Sequence, residues 1–401
     1  MSNRISFFIL SKKKNTTAPA KFQQEFSGIK LGSKSSCTLH PAVLHLGQQY
    51  ASGTIRGANK RCRAMLQTFQ ILLEEYTAPQ KPQKDYRQDI EQKILKPAFT
   101  YWTTQCRTHS VSMGNAFTFL KLAVANLDRD MDVEEAKVAL LDSVDAYIHE
   151  RIEFADQAIC KHASTKIVDG DVILTYGNSE VIAELLQHAI DNENGASSSL
   201  YGKRKPKSFR VIVVDSRPLL EGRELLEKLL DAGIDCTYIF LNSLSYVMTN
   251  EVTKVFLGAA ALMSDGSIMS RVGTASIANL AKANNIPVLF CCETYKINSR
   301  VQLESITGNE LGDPDGLVTN RCAIDSNDES IDGNKSVSLK DWRNTSNLTL
   351  LSLLYDLTPS EFVSGIVTEM GILPPTSVAV LLREMNPNEN DQGFQSQGFV
   401  A

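Results

Sequence analysis

Four short segments of the sequence combine arginine with small polar residues at predicted strand ends and helix starts. They are Arg56–Ala58, Arg107–Val111, Thr175–Ser179 and Asp215–Gly222. A guanidinium group and the free backbone amides at a helix N-terminus both favour anions, so this pattern is compatible with a phosphate-bearing ligand. Surface arginines that bind no ligand are commoner, and the four segments alone do not decide between the two interpretations.

The stretch from Lys254 to Phe290 is predicted to form the central unit of the fold. An apolar run ends at Ser264-Asp265-Gly266, residues with helical spacing follow, and a second apolar run closes the stretch. This pattern predicts strand, loop, helix and strand, which is the repeating unit of a parallel sheet. Ligands bind beyond the carboxyl ends of the strands in such sheets, so the loop 264–271 is predicted to face a pocket.

Similar units on both sides of this stretch predict an α/β fold with two domains. Apolar runs at 171–176, 209–215 and 235–240 alternate with helical segments, so residues 166–385 are expected to form a Rossmann-like domain with a doubly wound parallel sheet. Residues 39–165 contain amphipathic segments with helical spacing and short polar links, which predict a helical N-terminal domain.

Three polar segments are predicted to lie outside the packed domains. Residues 1–38 are expected to form a mobile polar arm, and residues 386–401 a polar tail. Residues 305–347 are rich in Asn, Asp, Ser and Gly and are predicted to form a flexible insert in the second domain.

The composition of the 401-residue chain indicates a soluble globular protein of the cytosol. Hydrophobic residues make up 43% of the chain, and no apolar stretch approaches the roughly 18 residues of a membrane span. A net charge of -5 with mixed signs argues against nucleic-acid binding, which needs a concentrated basic face. The apolar start has its positive charges mostly on the wrong side for a secretory signal.

No metal or cofactor is predicted from the sequence. The 8 cysteines are scattered without a CxxC pair or a histidine at ligand spacing, so reduced thiols are expected rather than a metal site or disulfides. The sequence lacks the GxxxxGKS/T pattern, and no GxGxxG follows a predicted strand, so direct binding of GTP, GDP or a dinucleotide is not expected.

Several motifs stand in a fixed order between residues 40 and 383. They are RGA, RTHSV, LTYGNS, DSRPLLEGREL, LGAAALMSDGSIMSRVGT, YDLTP and VTEMGILPPTSV. Their order and content resemble one family, which unites sugar-phosphate isomerases acting on methylthioribose 1-phosphate with regulatory subunits of translation initiation factor 2B. Among these subunits, the opening segment with Gly57-Ala58-Asn59-Lys60-Arg61-Cys62 is most similar to the delta type, although the polar arm before it is shorter than is usual there.

The resemblance implies a pocket that has lost its catalytic groups. The isomerases carry a cysteine at the position of Gly177 and an aspartate at that of Ala260, and neither residue present here can transfer a proton. Glu221 stands in place of a glutamine. The other pocket positions that the resemblance implies are Arg56, Arg107, Asn178, Ser179, Arg217, Asp265 and Arg271. The arginines among them either still hold an anion or serve only the structure, and the loss of both catalytic groups favours the structural role.

The function that the resemblance implies is that of a non-catalytic regulatory subunit in the factor 2B guanine-nucleotide exchange complex. Such a subunit pairs directly with the beta-type subunit through its sheet domain and assembles with the alpha, gamma and epsilon subunits. It also senses phosphorylation of the alpha subunit of initiation factor 2. The alternative is a divergent sugar-phosphate isomerase that uses Cys291 or Cys292, although the apolar neighbours of these thiols favour a place in the core.

Two surfaces are predicted to contact partners. Phe362 and Ile366 belong to a C-terminal apolar segment that would, if not packed on the sheet, expose more apolar surface than a monomer tolerates. Arg61 and Arg63 lie near the start of a predicted helix, where guanidinium groups suit a phosphoserine. The alternative for this second surface is an ordinary solvated helix face.

Overall fold

The computed structural model describes residues 39–77, 85–194, 208–302, 305–306, 309–319 and 339–385. The predicted polar arm and polar tail lie outside these residues. Within the described ranges, a helical N-terminal domain precedes a domain with two β-sheets. No helix in these ranges combines the length and the apolar character that a membrane span requires.

The helical domain has its helices where the spacing of apolar residues predicts them. They are α1 (Pro41–Ala51), α2 (Ala58–Glu74), α3 (Tyr86–Ile90), α4 (Lys96–Tyr101), α5 (Val111–Asn126), α6 (Val133–Ala146) and α7 (Phe154–Ser164). Wider π-helical turns extend α3, α4 and α6, and the predicted break near Ser52-Gly53 separates α1 from α2. Asp132 caps α6 by accepting a hydrogen bond from the backbone N–H of Glu134 at 3.2 Å.

Trp102 lies at the centre of the helical core. Its ring meets Phe69 edge-on with 5.3 Å between ring centroids, and Tyr50 packs against it at 6.3 Å. The indole Nε1 donates to the backbone oxygen of Val43 at 2.9 Å, so the buried polar atom of this side chain is satisfied. One aromatic residue therefore joins α1, α2 and the turn after α4 into one core.

The second domain contains eleven described strands. They are β1 (Val172–Tyr176), β2 (Arg210–Asp215), β3 (Asp235–Phe240), β4 (Lys254–Gly258), β5 (Ala261–Met263), β6 (Ile268–Arg271), β7 (Val288–Cys291), β8 (Ile297–Asn298), β9 (Tyr355–Thr358), β10 (Gly365–Thr368) and β11 (Gly371–Leu373). The larger sheet has the order β11-β10-β7-β4-β1-β2-β3, and only the β10–β11 pair is antiparallel. The smaller sheet has the order β8-β5-β6-β9.

Helices cover both faces of the larger sheet. They are α8 (Glu180–Asn194), α9 (Gly222–Asp231), α10 (Leu244–Asn250), α11 (Thr274–Ala283) and α13 (Val378–Met385), and the short α12 (Asp315–Thr319) lies in the predicted insert. Ile173 of β1 packs with α7, α8 and α9 on one face, whereas its neighbour Leu174 packs with α10, α11 and α13 on the other. The predicted α/β class with a helical N-terminal domain and a doubly wound, mostly parallel sheet is confirmed.

The central stretch departs from its prediction at one point. Residues 268–271 of the predicted loop form β6 and pair with β5 in a hairpin, and the predicted helix begins after them at Thr274. Along β6 the side chains alternate between buried and half-buried, which is the period of a strand. A Cβ at Gly266 would lie 2.5 Å from the backbone oxygen of Pro375, so the tight hairpin turn requires glycine.

The C-terminal part of the chain contains more strands than predicted. The single strand expected between Asn347 and Pro359 is confined to β9, and β10 and β11 follow it. Strand β10 inserts beside β7, with Ile366 opposite Phe290 in the register. The sheet therefore gains two strands from a segment that was expected only to pack against it.

The described parts of the predicted insert are 305–306, 309–319 and 339–347, and they pack against the second domain. Leu311 forms an antiparallel bridge with Leu353, and the indole Nε1 of Trp342 donates to Asp315 at 3.0 Å. Both Asn309 and Trp342 are buried. These positions bring Glu310 to the joint between the two domains, which the assignment of 305–347 as a flexible insert does not anticipate.

Candidate functional site

A cavity of about 370 Å³ lies between the loop that joins α1 to α2 and the carboxyl ends of β1 and β4. Gly53 and Gly57 of that loop line it, together with Tyr176 and Gly258, the last residues of the two strands. This volume lies within the range of small-molecule sites, and its place is where parallel sheets bind ligands. The cavity is therefore the candidate site of the second domain.

Most of the predicted pocket positions line this cavity. They are Arg56, Asn178, Ser179, Glu221, Ala260 and Arg271. Lys60, Glu180, Glu224 and Lys296 add further charged side chains that the sequence did not single out. The wall is therefore rich in both cations and carboxylates, and its chemistry depends on how they pair.

Arg271 pairs with Glu221 inside the cavity wall. Its Nη2 donates to the Glu221 Oε1 at 2.5 Å, and its guanidinium group stacks over Tyr355 at 5.1 Å from the ring centroid. Burial alone would lower the pKa of Arg271, but Tyr355 and the Glu221 carboxylate raise it, so the guanidinium stays charged. The position that carries a glutamine in the isomerases thus supplies an internal counter-charge.

Lys60 and Asn178 of the wall are also held by carboxylates of the wall. Lys60 lies 3.1 Å from Glu180, and the amide of Asn178 donates to Glu224 at 2.7 Å. Arg56 donates from Nε to the backbone oxygen of Gly53 at 2.7 Å, so it braces its own loop. Positive charge that would attract an anion is largely neutralised within the wall.

Arg107 lies outside the cavity wall and belongs to a second group of charged side chains, which we call the Glu310 cluster (Arg61, Arg107 and Glu310). Arg107 donates to Glu310 from Nε and, at 3.3 Å, from Nη2. The Nη1 of Arg61 lies 3.9 Å from the same carboxylate, and its Nη2 donates to the backbone oxygen of Thr108 at 2.5 Å. A carboxylate of the chain itself therefore occupies the place between two arginines that an external anion would take.

The two positions that carry catalytic groups in the isomerases hold none here. Ala260 lines the cavity, and its N–H donates to the backbone oxygen of Met269 at 2.9 Å. Gly177 directly precedes Asn178 of the wall and has a φ of 63°, a conformation that favours glycine. Neither a methyl group nor a hydrogen can accept or donate a proton, so the chemistry of the isomerases has no groups at these positions.

Arg217 and Asp265 also lie away from the cavity wall. The guanidinium carbon of Arg217 is 5.7 Å from the ring centroid of Phe240. Asp265 accepts hydrogen bonds from the backbone N–H of Ser267 at 3.0 Å and from its hydroxyl at 2.6 Å. The position of Asp265 follows from the β5–β6 hairpin, which was not predicted, because Asp265 lies in the turn of that hairpin.

The predicted partner-contact residues are less exposed than expected. Arg61 has only 1% of its surface exposed, and Ile366 is fully buried between β7 and β11. Arg63 and Phe362 are half-buried. The guanidinium group of Arg61 lies in the Glu310 cluster and not on the surface of the helix.

Sequence reasoning missed a buried polar group at the joint between the domains. It consists of Asn59 and Asp156 from the helical domain and Glu293 and Lys296 from the turn after β7, and we call it the joint cluster. Its members are up to 237 positions apart in the sequence, so no local periodicity reveals it. The available signal is that Glu293 follows β7 after one residue, Cys292, at the end where sheets of this kind place functional groups.

No group of three or more His, Cys, Asp or Glu side chains among the described residues is arranged to hold a metal. Cys291 and Cys292 are free thiols with at most 1% of their surface exposed. Burial raises the pKa of both thiols well above the ordinary value, which keeps them protonated at neutral pH.

A family model described as "Initiation factor 2 subunit family" matches residues 54–375. The chain belongs to this family. The match includes the Glu310 cluster, the joint cluster and every residue that lines the cavity except Gly53.

Curated relatives place the chain near one branch of the family. It is 43% identical over 346 residues to the translation initiation factor eIF2B subunit delta of Dictyostelium discoideum, covering 86% of this chain and 51% of that protein. It is 42% identical to the subunit of the same name in Schizosaccharomyces pombe, covering 86% and 69%. The chain thus spans about half the length of the first relative and about two thirds of the second. A ribose 1,5-bisphosphate isomerase of Pyrococcus furiosus is 25% identical, covering 85% and 93%.

Solved structures agree with this placement. A subunit in the crystal structure of the tetrameric eIF2B-beta2-delta2 complex from C. thermophilum superposes with a TM-score of 0.68 and 31% identity, covering 83% of this chain and 92% of that one. The crystal structure of eIF2B delta from Chaetomium thermophilum gives a TM-score of 0.62 and 29% identity, covering 82% and 98%. The predicted resemblance to the eIF2B delta branch is confirmed.

Proposed function

We propose that this chain is a non-catalytic regulatory subunit of the eIF2B guanine-nucleotide exchange complex and acts in the cytosol, where translation begins. The observation that carries the proposal is the 42–43% identity to two proteins named eIF2B subunit delta, against 25% to the isomerase. The cavity supports it, because both catalytic positions are empty of acid–base groups and Arg271 is paired with Glu221.

The alternative of a divergent isomerase has less support. It would need a reactive thiol, yet burial keeps Cys291 and Cys292 protonated and away from solvent. Under the regulatory proposal, the exchange of guanine nucleotide depends on a catalytic domain of another subunit, and this chain assembles with alpha, beta, gamma and epsilon subunits.

The sheet domain is the part of the chain that we propose pairs with a beta-type subunit. A crystal structure similar to this chain is described as a beta2-delta2 complex, which supports the choice of partner. Met370, directly before edge strand β11, has 68% of its surface exposed, and Ile372 within that strand has 37%, so apolar surface is available there.

Co-purification tests this pairing directly. A tagged chain expressed in its own cells is expected to bring down the other exchange-factor subunits, and Met370→Asp is expected to reduce recovery of the beta-type subunit several-fold. Leu122→Asp is the matched control, because Leu122 is similarly exposed, at 57%, but belongs to the helical domain. Recovery of no partner by the unmodified chain would refute the proposed function, whereas equal recovery by both variants would refute only the sheet-domain contact.

We propose that the helical domain contacts the alpha subunit of initiation factor 2 and responds to its phosphorylation. Arg151 is exposed on the π-helical turn between α6 and α7, where a guanidinium group can reach a phosphate. Arg151→Glu in the assembled complex is therefore expected to weaken binding of the phosphorylated factor more than that of the unphosphorylated one. Arg343→Glu, an exposed reversal in the other domain, is the control, and unchanged binding of both forms by the first variant would exclude this surface.

A further inference from the structure

The joint cluster buries two carboxyl groups beside a single ammonium group. Asn59, Asp156, Glu293 and Lys296 each have 6% or less of their surface exposed. Asn59 and Asp156 belong to the helical domain, whereas Glu293 and Lys296 follow β7 in the sheet domain. The contact between the domains therefore depends on how these groups share charge and protons.

The side-chain amide of Asn59 contacts the carboxyl groups of both Asp156 and Glu293. The Nδ2 of Asn59 lies 2.5 Å from the Glu293 Oε1 and 3.4–3.5 Å from the two carboxyl oxygens of Asp156. The Oδ1 of the same amide accepts from the hydroxyl of Tyr295 at 2.7 Å, which fixes the orientation of the amide. Both carboxyl groups consequently converge on the same donor.

The ammonium group is committed to only one of the two acids. Lys296 Nζ lies 2.5 Å from the Glu293 Oε2 and also donates to the backbone oxygen of Ala259 at 3.4 Å. The other titratable groups that act on Asp156 include Glu184 of α8, which adds negative rather than positive charge. Two ionised carboxylates with one ammonium would leave a buried net negative charge, which the loss of hydration disfavours strongly.

We propose that Asp156 and Glu293 hold one proton between them, so that docking of the two domains takes up a proton and their separation releases it. The protonated oxygen of Asp156 then donates toward Glu293, which keeps its charge for Lys296 and Asn59. The proton is thus a structural part of the contact between the domains, and this holds whether or not the proposed regulatory function is correct.

The direction of the titration shifts agrees with this assignment. Burial, together with the charge of Glu293, raises the pKa of Asp156 to about 9. Burial would also raise the pKa of Glu293, but Lys296 and hydrogen bonds from Asp156 and Asn59 hold it below its ordinary range. Asp156 therefore carries the proton at neutral pH and Glu293 carries the charge.

Proton release on unfolding measures the shared proton. The 401-residue chain is unfolded by guanidinium chloride at pH 7 in weakly buffered, dilute solution, and the released protons are counted with an indicator dye. Because unfolded aspartate is ionised at this pH, the parent chain is expected to release about one proton more than Asp156→Asn, whose amide resembles the protonated acid. Asp171→Asn is the matched control, because Asp171 is equally buried. Burial would raise the pKa of Asp171, but Lys254 and hydrogen bonds lower it, so this carboxyl group is ionised in the folded chain. The Asp171→Asn variant is therefore expected to release as many protons as the parent.

The variant Glu293→Gln distinguishes two explanations of the bound proton: that Asp156 shares it with Glu293 across the joint, or that burial of Asp156 alone holds it. Without the second carboxylate, Lys296 becomes available to the carboxylate of Asp156, which is then ionised in the folded chain. This variant is therefore also expected to release about one proton fewer than the parent on unfolding. Release that equals the parent value in both Asp156→Asn and Glu293→Gln would overturn the proposal. Loss in Asp156→Asn alone would also overturn it, because the proton would then belong to the helical domain by itself. Should Asp156→Asn fail to fold, the carboxyl carbon resonance of Asp156 in the parent chain decides, and an ionised resonance at pH 7 contradicts the proposal.

Discussion

Glu310 accepts hydrogen bonds from the guanidinium group of Arg107 across 203 positions of the sequence. The two residues come from different domains, and the buried Arg61 lies beside the same carboxylate. The anion that Arg107 binds is therefore a carboxylate of the same chain, and the role of Arg107 is to join the two domains.

Removal of this carboxylate is expected to destabilise the chain. Glu310→Ala leaves the buried guanidinium group of Arg61 and the half-buried one of Arg107 without their counter-charge, so the free energy of unfolding should fall by roughly 3 kcal/mol, as measured by urea unfolding. Arg343→Met is the control, because the pair of Arg343 with Asp315 is exposed and its loss should not change the unfolding midpoint measurably. A midpoint for Glu310→Ala equal to that of the parent would show that the arginines do not depend on Glu310.

The large elements were predictable because their signals are local. Apolar spacing predicts the helices of the N-terminal domain, and short runs of apolar residues predict β1, β2 and β3. Strand β6 has only four residues, too few for its alternation to compete with the helical spacing that follows. The pairs Glu310–Arg107 and Asn59–Glu293 join residues more than 200 positions apart, and no window of sequence contains both partners.

The family resemblance identifies the positions of the pocket residues in the sequence, whereas the structure shows which of these side chains contact each other. Glu221 was recognised as a changed residue, but its ion pair with Arg271 depends on β6, which was not predicted. Asp265 was placed in the pocket by alignment of motifs, and the hairpin turn takes it elsewhere. Motif order thus identifies the family more securely than it identifies the wall of a cavity.

Asp356 is expected to make stability depend on pH in the acidic range. Its carboxyl group accepts from the backbone N–H groups of Gly273 and Ala275 at 2.7 and 3.0 Å, yet burial raises its pKa to about 6. A raised pKa means that the folded chain binds the proton more tightly. The stability it contributes is therefore present below the unfolded pKa of 3.8 and is lost as pH rises to about 6.

Asp356→Asn gives the measurement for this group. The free energy of unfolding of the parent, relative to that of the variant, should fall by about 2 kcal/mol from pH 4 to pH 6.5, because one pKa unit is worth about 1.4 kcal/mol and part of the effect lies below pH 4. Asp171→Asn provides the opposite case, because its lowered pKa makes stability fall with acid. A constant difference across this range would contradict the assignment to Asp356.

Replacement of Glu221 by glutamine is expected to open the cavity to anions. Glu221→Gln removes the partner of Arg271 together with one negative charge of the wall. Ribose 1,5-bisphosphate should then raise the Tm of the variant, with about 2.7 kcal/mol of stabilisation at a ligand concentration 100 times Kd, and leave that of the parent unchanged. Glu224→Gln, which alters the partner of Asn178 instead, is the control. An equal rise in the parent would mean that its arginines already bind the anion.

Catalysis is expected to be absent and not to return with the two missing groups. The unmodified chain should convert neither methylthioribose 1-phosphate nor ribose 1,5-bisphosphate above the uncatalysed rate. Gly177→Cys with Ala260→Asp should remain inactive, because the φ of 63° at Gly177 strains any other residue by about 1–2 kcal/mol and Glu221 still pairs with Arg271. Both sugars are assayed with all three proteins, including Cys291→Ser with Cys292→Ser. Turnover by the unmodified chain that disappears in the serine variant would establish an isomerase and overturn the regulatory proposal.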